Sequence, residues 1–571
     1  MRGLLLSLAL LLGARANTPS NQISGSEQDS VQAFRDFVVD KMRLPFEVYD
    51  TTTEDGFIIK MFRIPREDSP AILIMHGLAD SSWSLVLGNE LSAVRRAYEA
   101  GFDVWLGNHR GNVFAREHKK FSRGSADIWN HNVQHIGWYD LPAMIDRVLL
   151  ESGEKSLVYA GHSQGITDLV FNLCDYKRFE ECPKKPAAAN LETMLTVDPP
   201  GEESPELEKS KEDIRTALET VARAEKECKE CWKGEEQLPS PGGEEMEKMV
   251  EEAMEELRES QMLEEPMQAL PETHIYDPSK FRIDSKKIRA VIALAPAPFP
   301  FLTESTMAIW ALKAGLPYAL PDVLNIKSFP HTPDQMRSLM KTVSKMFPSL
   351  ACNSVLRLCD KTTACADEKK MEAFLHLFPQ PMSVSAWQHY SQWMVEYYNL
   401  TAFDYKNETT NVHAYGDLYN DDCDVPPWVD VSTWPKDVPM YIFGMEADLL
   451  ATPQSVALFR DNLPKEAVKT YLSLKDYGHE TIFFPNAWSA HIFHRPWQRI
   501  LADLRFDWLS DGSFKPKAMP SSERGGEEAR EEENDGREPQ EIDHRPVEAQ
   551  AEATEIQERS RSSRKEEAFL Q

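Results

Sequence analysis

Short apolar runs bounded by Gly, Pro and Asp alternate along this chain with stretches of helical apolar periodicity. The runs at 56–62 (GFIIKMF), 71–75 (AILIM), 103–106 (DVWL) and 156–160 (SLVYA) read as strands. So do 289–295 (RAVIALA), 438–443 (VPMYIF) and 469–474 (KTYLSL). Helices are expected after residue 31, near 88–99, from about 140 to 151, and directly after residue 163. Continuous apolar strands separated by amphipathic helices imply an α/β fold, a mostly parallel central sheet with helices on both faces. Two stretches break this rhythm. Residues 183–280 are rich in Glu, Lys and Pro, with helical periodicity near 207–227 and 243–262, and read as a charged, helical or disordered acidic insert. Residues 513–571 have almost no large apolar side chains and read as a disordered acidic tail.

At 571 residues the chain has room for one large α/β domain with insertions or for two to three ordinary domains. A hydrophobic fraction of 42% with 13 tryptophans is enough for a substantial core. The net charge of −29, concentrated in 202–265 and 523–569, excludes nucleic acid as a partner, because a phosphate backbone would be repelled. It leaves the partner of the acidic insert and tail unknown. Residues 1–16 carry a basic Arg2, an apolar run from Leu4 to Leu12 and Ala14-Arg15-Ala16, the pattern of a cleaved secretory signal. No other stretch reaches the roughly 18 apolar residues of a spanning helix, so no transmembrane segment is expected. A secreted or endolysosomal protein follows. The eight cysteines suit an oxidising compartment, with connectivity left open. Asn399 and Asn407 head N-x-S/T triplets, candidates for glycosylation. Cys228-Lys229-Glu230-Cys231 lacks both a thioredoxin-like setting and a second ligand pair, so it reads as a local cysteine pair.

The strongest chemical signal is Gly161-His162-Ser163-Gln164-Gly165, lying between an apolar strand-like run and a helix-like one. Glycines flanking a sharp strand-to-helix turn let the Ser163 hydroxyl stand clear at the strand tip. The Gln164 amide, at the helix start, then faces the position of a forming oxyanion. A serine nucleophile needs a base and a carboxylate to orient that base. Asp448 follows the strand 438–443, and His479 follows 469–474, in the order Ser, Asp, His. Glu446 and, less strongly, Asp476 are rival acids. His162 is beside the serine, but neighbours on a sharp turn point apart; His389 and His413 read as structural. The strand 71–75 leads into His76-Gly77-Leu78, which makes the Leu78 amide the natural second oxyanion donor.

With these residues placed, the chain resembles the acid lipase family of α/β hydrolases, the group of lysosomal acid lipase and gastric lipase. The resemblance is carried by Thr53-Glu54-Asp55-Gly56-Phe57, His76-Gly77-Leu78 with Asp80-Ser81-Ser82, and Gly101 through Asn108. It continues in Arg110-Gly111-Asn112, Tyr139 through Ala143, the elbow, Leu294-Ala295-Pro296, Ala402-Phe403-Asp404-Tyr405 and Asp448 through Ala451. It covers about 30–182 and 284–510. It implies the α/β-hydrolase fold, Ser163, Asp448 and His479 as triad, Leu78 and Gln164 as oxyanion hole, and hydrolysis of neutral lipid esters (triacylglycerols or sterol esters) at a lipid–water interface without metal or cofactor. An acyltransferase on the same fold, or a non-catalytic lipid-binding protein, are the alternatives. Two departures stand out: His109 replaces a small residue, and Glu480-Thr481 follow His479 in place of Leu-Asp, which bears on substrate fit.

Topology separates the two long excursions. The helix after Ser163 runs away from the catalytic edge, so the 183–280 insert is expected to project from the far side. The chain then returns through a core strand at 284–298. Residues 299–436 leave from the catalytic edge and return before the core resumes at 437–512. They are expected to form an aromatic-rich helical cap (lid), with two of Cys352, Cys359 and Cys365 forming a disulfide.

Overall fold

A computed structural model describes residues 27–182, 281–305, 317, 327–329, 359–361, 374, 377–483 and 490–511. In chain order its strands begin with β1 (Glu47–Thr52), β2 (Phe57–Ile64), β3 (Ala71–Met75), β4 (Asp103–Leu106), β5 (Glu117–His118), β6 (Leu157–His162) and β7 (Asp175–Lys177). They continue with β8 (Ile288–Leu294), β9 (Ser328–Phe329), β10 (Met382–Ser383), β11 (Trp428–Asp430), β12 (Met440–Met445) and β13 (Val468–Leu474). The main sheet runs β1-β2-β4-β3-β6-β8-β12-β13, with β5 against β2. From β4 to β13 every pairing is parallel, while β1, β2 and β5 form an antiparallel flank.

The apolar runs become strands because both their faces are covered. Every residue of β3, β4 and β6 is buried, whereas the outer strands β1 and β13 keep partly exposed positions. Parallel neighbours require crossovers, supplied by helices Ser82–Leu87 and Ala93–Glu99, Leu141–Ser152, Gln164–Leu173 and Pro453–Asn462; Ala490–Ser510 follows β13. This is the α/β-hydrolase fold. The helix expected near 88–99 begins earlier and is broken in two. The Ser81 and Ser92 hydroxyls each accept a backbone amide as N-caps, and Asn89 sits at φ +51°, so the chain stops and restarts.

Three separated motifs converge in one buried ion cluster. Arg110, nearly inaccessible, forms two bonds to Asp140 (Nε–Oδ1 2.9 Å, Nη2–Oδ1 2.6 Å) and two to Asp55 (2.6 and 3.0 Å). Its guanidinium also lies 4.2 Å from the Phe57 ring centre. Burial pushes the Asp140 carboxyl up to about 6, with the Arg110 charge opposing. Removing one partner leaves a buried charge unpaired, which is where such pairs become costly. Arg110→Ala is therefore expected to lower stability by about 3–5 kcal/mol in urea unfolding. Arg147→Ala, which breaks a half-exposed pair with Glu151, should cost less than about 1 kcal/mol.

The chain leaves Ser163 along the helix Gln164–Leu173, and its far end is where the described segments on either side of 183–280 meet. The Tyr176 hydroxyl donates to Phe171 O, and Asn172 Nδ2 donates to Phe281 O at 2.8 Å. Here β7 pairs with β11, and Cys182 bonds to Cys423 with Cα atoms 5.3 Å apart. The expectation of a disulfide within 299–436 fails for Cys359, a buried free thiol. Its backbone pairs instead with the Asp448 loop, and its buried thiol lies among the carboxyls of Glu480, Asp360 and Asp448. Cys352 and Cys365 lie outside the described residues, as do the signal, the 183–280 insert with its C-x-x-C pair, and the 513–571 tail. Among the described residues no helix is long and apolar enough to cross a membrane.

Candidate active site

At the carboxyl end of β6 the chain turns into the helix Gln164–Leu173 through Ser163, whose backbone is strained at φ 52°, ψ −116°. The two flanking glycines make this turn possible by close approach. A Cβ at Gly161 would lie 2.8 Å from Ile166 Cδ1 and 2.9 Å from Gly165 C; one at Gly165 would lie 3.0 Å from His76 O. The Ser163 amide donates to Leu294 O at 2.9 Å, which ties the turn to β8.

His479 and Asp448 arrive from the loops after β13 and β12. His479 Nε2 is 2.9 Å from Ser163 Oγ, and His479 Nδ1 is 2.7 Å from Asp448 Oδ2. Asp448 Oδ1 accepts the Leu450 and Ala451 amides at 2.7 and 2.8 Å, so the carboxylate is held at both oxygens. A carboxylate can only accept, so the proton resides on Nδ1 and Nε2 is left to accept from the serine. Burial opposes the imidazolium. The Asp448 charge and hydrogen bond, with Glu480 and Asp360, outweigh it and push His479 up to about 9.

The rivals are displaced. Glu446 is exposed and accepts from Ser473 Oγ at 3.0 Å, and Asp476 is exposed at φ 65°. His162 points away from the serine, and its Nε2 donates to His479 O at 3.0 Å; burial keeps its ring neutral. It anchors the backbone of His479. His389 is buried, with Nε2 donating to Thr401 O, while His413 on the helix Glu408–Tyr415 is exposed.

The His76-Gly77-Leu78 loop lies against the serine, since a Cβ at Gly77 would be 3.1 Å from Ser163 Cβ. His76 Nε2 accepts the His109 amide and Asn112 Nδ2 (3.1 and 3.2 Å), so its Nδ1 donates to Gly77 O. From the other side Gln380 donates its amide to Ala79 O at 2.7 Å. Among the described residues neither the Leu78 nor the Gln164 amide has a protein acceptor. Gln164 is the first residue of its helix, where amides have no intrahelical partner. The unusual His109 is accounted for as well: its Nε2 is 2.9 Å from Asp168 Oδ2, and Asp168 also accepts from Gln164 Nε2 at 3.3 Å. Burial pushes His109 down to about 3 and Asp168 well up.

Both sequon asparagines are half-buried and use Oδ1 locally, Asn399 on the Leu400 amide and Asn407 on the Thr410 amide.

Sequence reasoning noted Glu480 only as a departure beside His479 and Asp80 only within a motif; it did not single out Asp360 or group the three as further acids at the site. Asp360, Glu480 and Asp80 are buried beside Asp448 and His479. Burial, then repulsion from Asp448, pushes Asp360 up to about 7. Burial, reinforced by Asp80, Asp360 and Asp448 and opposed by His479, pushes Glu480 up to about 8. Burial pushes Asp80 up to about 7 against hydrogen bonds from Ser84 and the Ser81 amide.

Residues 37–88 match the family model described as a partial alpha/beta-hydrolase lipase region. Over 163 residues the chain is 40% identical to Lipase 1 of Drosophila melanogaster, an alignment covering 28% of this chain and 37% of that one. Over 133 residues it is 41% identical to gastric triacylglycerol lipase of Homo sapiens, covering 22% and 33% respectively. The alignments thus span about a third to two fifths of the length of these relatives. A solved monoglyceride lipase from Saccharomyces cerevisiae aligns at 10% identity and TM-score 0.35, over 81% of this chain and 97% of that one. The resemblance to lipases read from the motifs holds in the sequence alignments, and the fold rests on the strand order above.

Proposed function

We propose that this chain is a serine esterase of neutral lipid esters, hydrolysing triacylglycerols or sterol esters through an acyl-enzyme. The observation that carries this reading is the continuous Ser163–His479–Asp448 hydrogen-bond chain at the tip of β6. Ser163 Oγ attacks the ester carbonyl as His479 Nε2 takes its proton, while Asp448 holds Nδ1–H and stabilises the imidazolium. The oxyanion is held by the Leu78 and Gln164 amides. Collapse expels the alcohol, which takes the proton from His479; water, deprotonated by the same nitrogen, then releases the fatty acid and restores Ser163.

Residues 299–436 act as the cap in this reading. Their described part reaches the catalytic edge through Gln380 on the Ala79 carbonyl, Ser383 on Trp129 O (2.6 Å) and Tyr390 on Gln164 Oε1 (3.4 Å). Phe374 and Phe378 stack at 4.8 Å within it. Apolar cover of this kind shelters acyl chains and excludes water. The sequence features at 1–16, Asn399 and Asn407 support a secretory-pathway location in this reading.

The test is fatty-acid release from emulsified triacylglycerol and from a sterol ester, at pH 5 and pH 8, with and without added alcohol. Release of free acid is expected from at least one. Transfer to the alcohol in preference to water would replace the reading with an acyltransferase, and failure to react with a fluorophosphonate would remove catalysis altogether.

A further inference from the structure

Asp360 lies in the chain between β8 and β12, far in sequence from the proposed reacting residues, yet it is built into their support. The backbone of 359–361 runs antiparallel to 447–449: Leu449 donates to Cys359 O (2.8 Å), Lys361 donates to Ala447 O (2.6 Å), and Asp360 is bridged to Asp448. The Asp360 carboxyl lies flat on the loop that carries His479. A Cβ at Gly478 would fall 2.2 Å from Asp360 Cγ, so only glycine admits it. Asp360 Oδ1 accepts the Glu480 amide at 3.4 Å, a long bond. Asp360 and Glu480 are 1% and 7% exposed, and among the described residues Asp360 Oδ2 and Glu480 Oε2 each lack a hydrogen-bond partner.

We propose that Asp360 and Glu480 are positioning residues for His479: Asp360 seats the 478–480 backbone, and the two carboxyls together set the pH window over which the imidazole serves as base. This rests on the reading of Ser163, His479 and Asp448 as the reacting set. The groups facing His479 come from several elements. They are Asp448 after β12, Asp360 on the paired segment, Glu480 on its own loop, and neutral His162 on β6, while the neutral thiol of Cys359 faces the carboxyls of Glu480, Asp360 and Asp448. Asp80, after β3, lies behind Glu480. So many buried carboxyls cannot all ionise at once, because each charge raises the cost of the next. As pH falls, Asp360 and Glu480 take up protons and stop favouring the imidazolium, which leaves Asp448 alone to hold it. As pH rises they ionise and make His479 more basic. The device keeps a fraction of His479 neutral further into acid than a permanently charged cluster would.

The test compares wild type, Asp360→Asn, Glu480→Gln, Asp360→Ala and Ser163→Ala by kcat and KM on a soluble p-nitrophenyl ester from pH 5 to 10. Asn and Gln keep the shape and the acceptor oxygen but remove the charge. The acid limb of kcat/KM, which follows deprotonation of the base, should move to lower pH by roughly half to one unit in each, with KM unchanged. Asp360→Ala also removes the grip on the loop, so kcat should fall about tenfold at constant KM, and Asp360→Asn should restore most of it. Acid limbs coincident with wild type in both Asp360→Asn and Glu480→Gln, while Ser163→Ala is inactive, would overturn the inference alone. Turnover in Ser163→Ala within about tenfold of wild type would overturn the reading beneath it as well.

Discussion

Replacing Ser163 by alanine should lower ester hydrolysis by roughly 10⁴-fold or more, and leave the protein folded. The hydroxyl is the only group the substitution removes, and its one partner among the described residues is His479 Nε2, 2.9 Å away. The strained turn remains, because it is enforced by Gly161, Gly165 and the Leu294 carbonyl rather than by the side chain. Thermal unfolding should therefore shift by no more than about 1 kcal/mol equivalent. Fatty-acid release and fluorophosphonate labelling check the prediction together. Labelling at another residue with turnover intact would mean that the nucleophile lies elsewhere.

Asp448→Asn should be nearly as damaging, lowering kcat by roughly 10⁴-fold. Asp448 Oδ1 is occupied by the Leu450 and Ala451 amides, so an asparagine would keep its carbonyl oxygen there and turn its amide towards His479. An NH₂ donates, which forces Nδ1 to accept and moves the imidazole proton to Nε2. In that tautomer His479 cannot take the proton of Ser163. The rival acids supply the control. Glu446→Gln and Asp476→Asn alter exposed groups outside the hydrogen-bond chain and should stay within about twofold of wild type. A collapse in Glu446→Gln with activity retained in Asp448→Asn would reverse the assignment of the acid.

Much of this arrangement was legible in the residues because the local physics is strong. A strand buried on both faces is largely apolar, so 71–75, 103–106 and 157–160 could be read as central strands, Asp103 being admitted by its bonds to Arg63 and Trp105 Nε1. Glycines two residues either side of a serine mark a turn that only they permit. Asp448 and His479 were legible because each follows an apolar run at its carboxyl end, and parallel strands deliver all those ends to one edge. Boundaries were less legible. The break at Gly88–Asn89 depended on two serines acting as caps, a choice made by hydrogen bonds that leave the apolar period unchanged.

The sequence by itself determined the α/β alternation, the order of serine, acid and histidine, and the turn that sets the serine at the strand tip, because these depend on neighbours within a few residues. Only the tertiary structure decided that Arg110 joins Asp55 to Asp140, that Cys182 meets Cys423 while Cys359 stays free, and that Asp360 sits on Gly478 beside His479. Each of these links residues dozens to hundreds of positions apart. Their pairing is set by which strand tips and loops the sheet brings together, and by the cost of leaving a buried polar group without a partner. No local pattern encodes that choice.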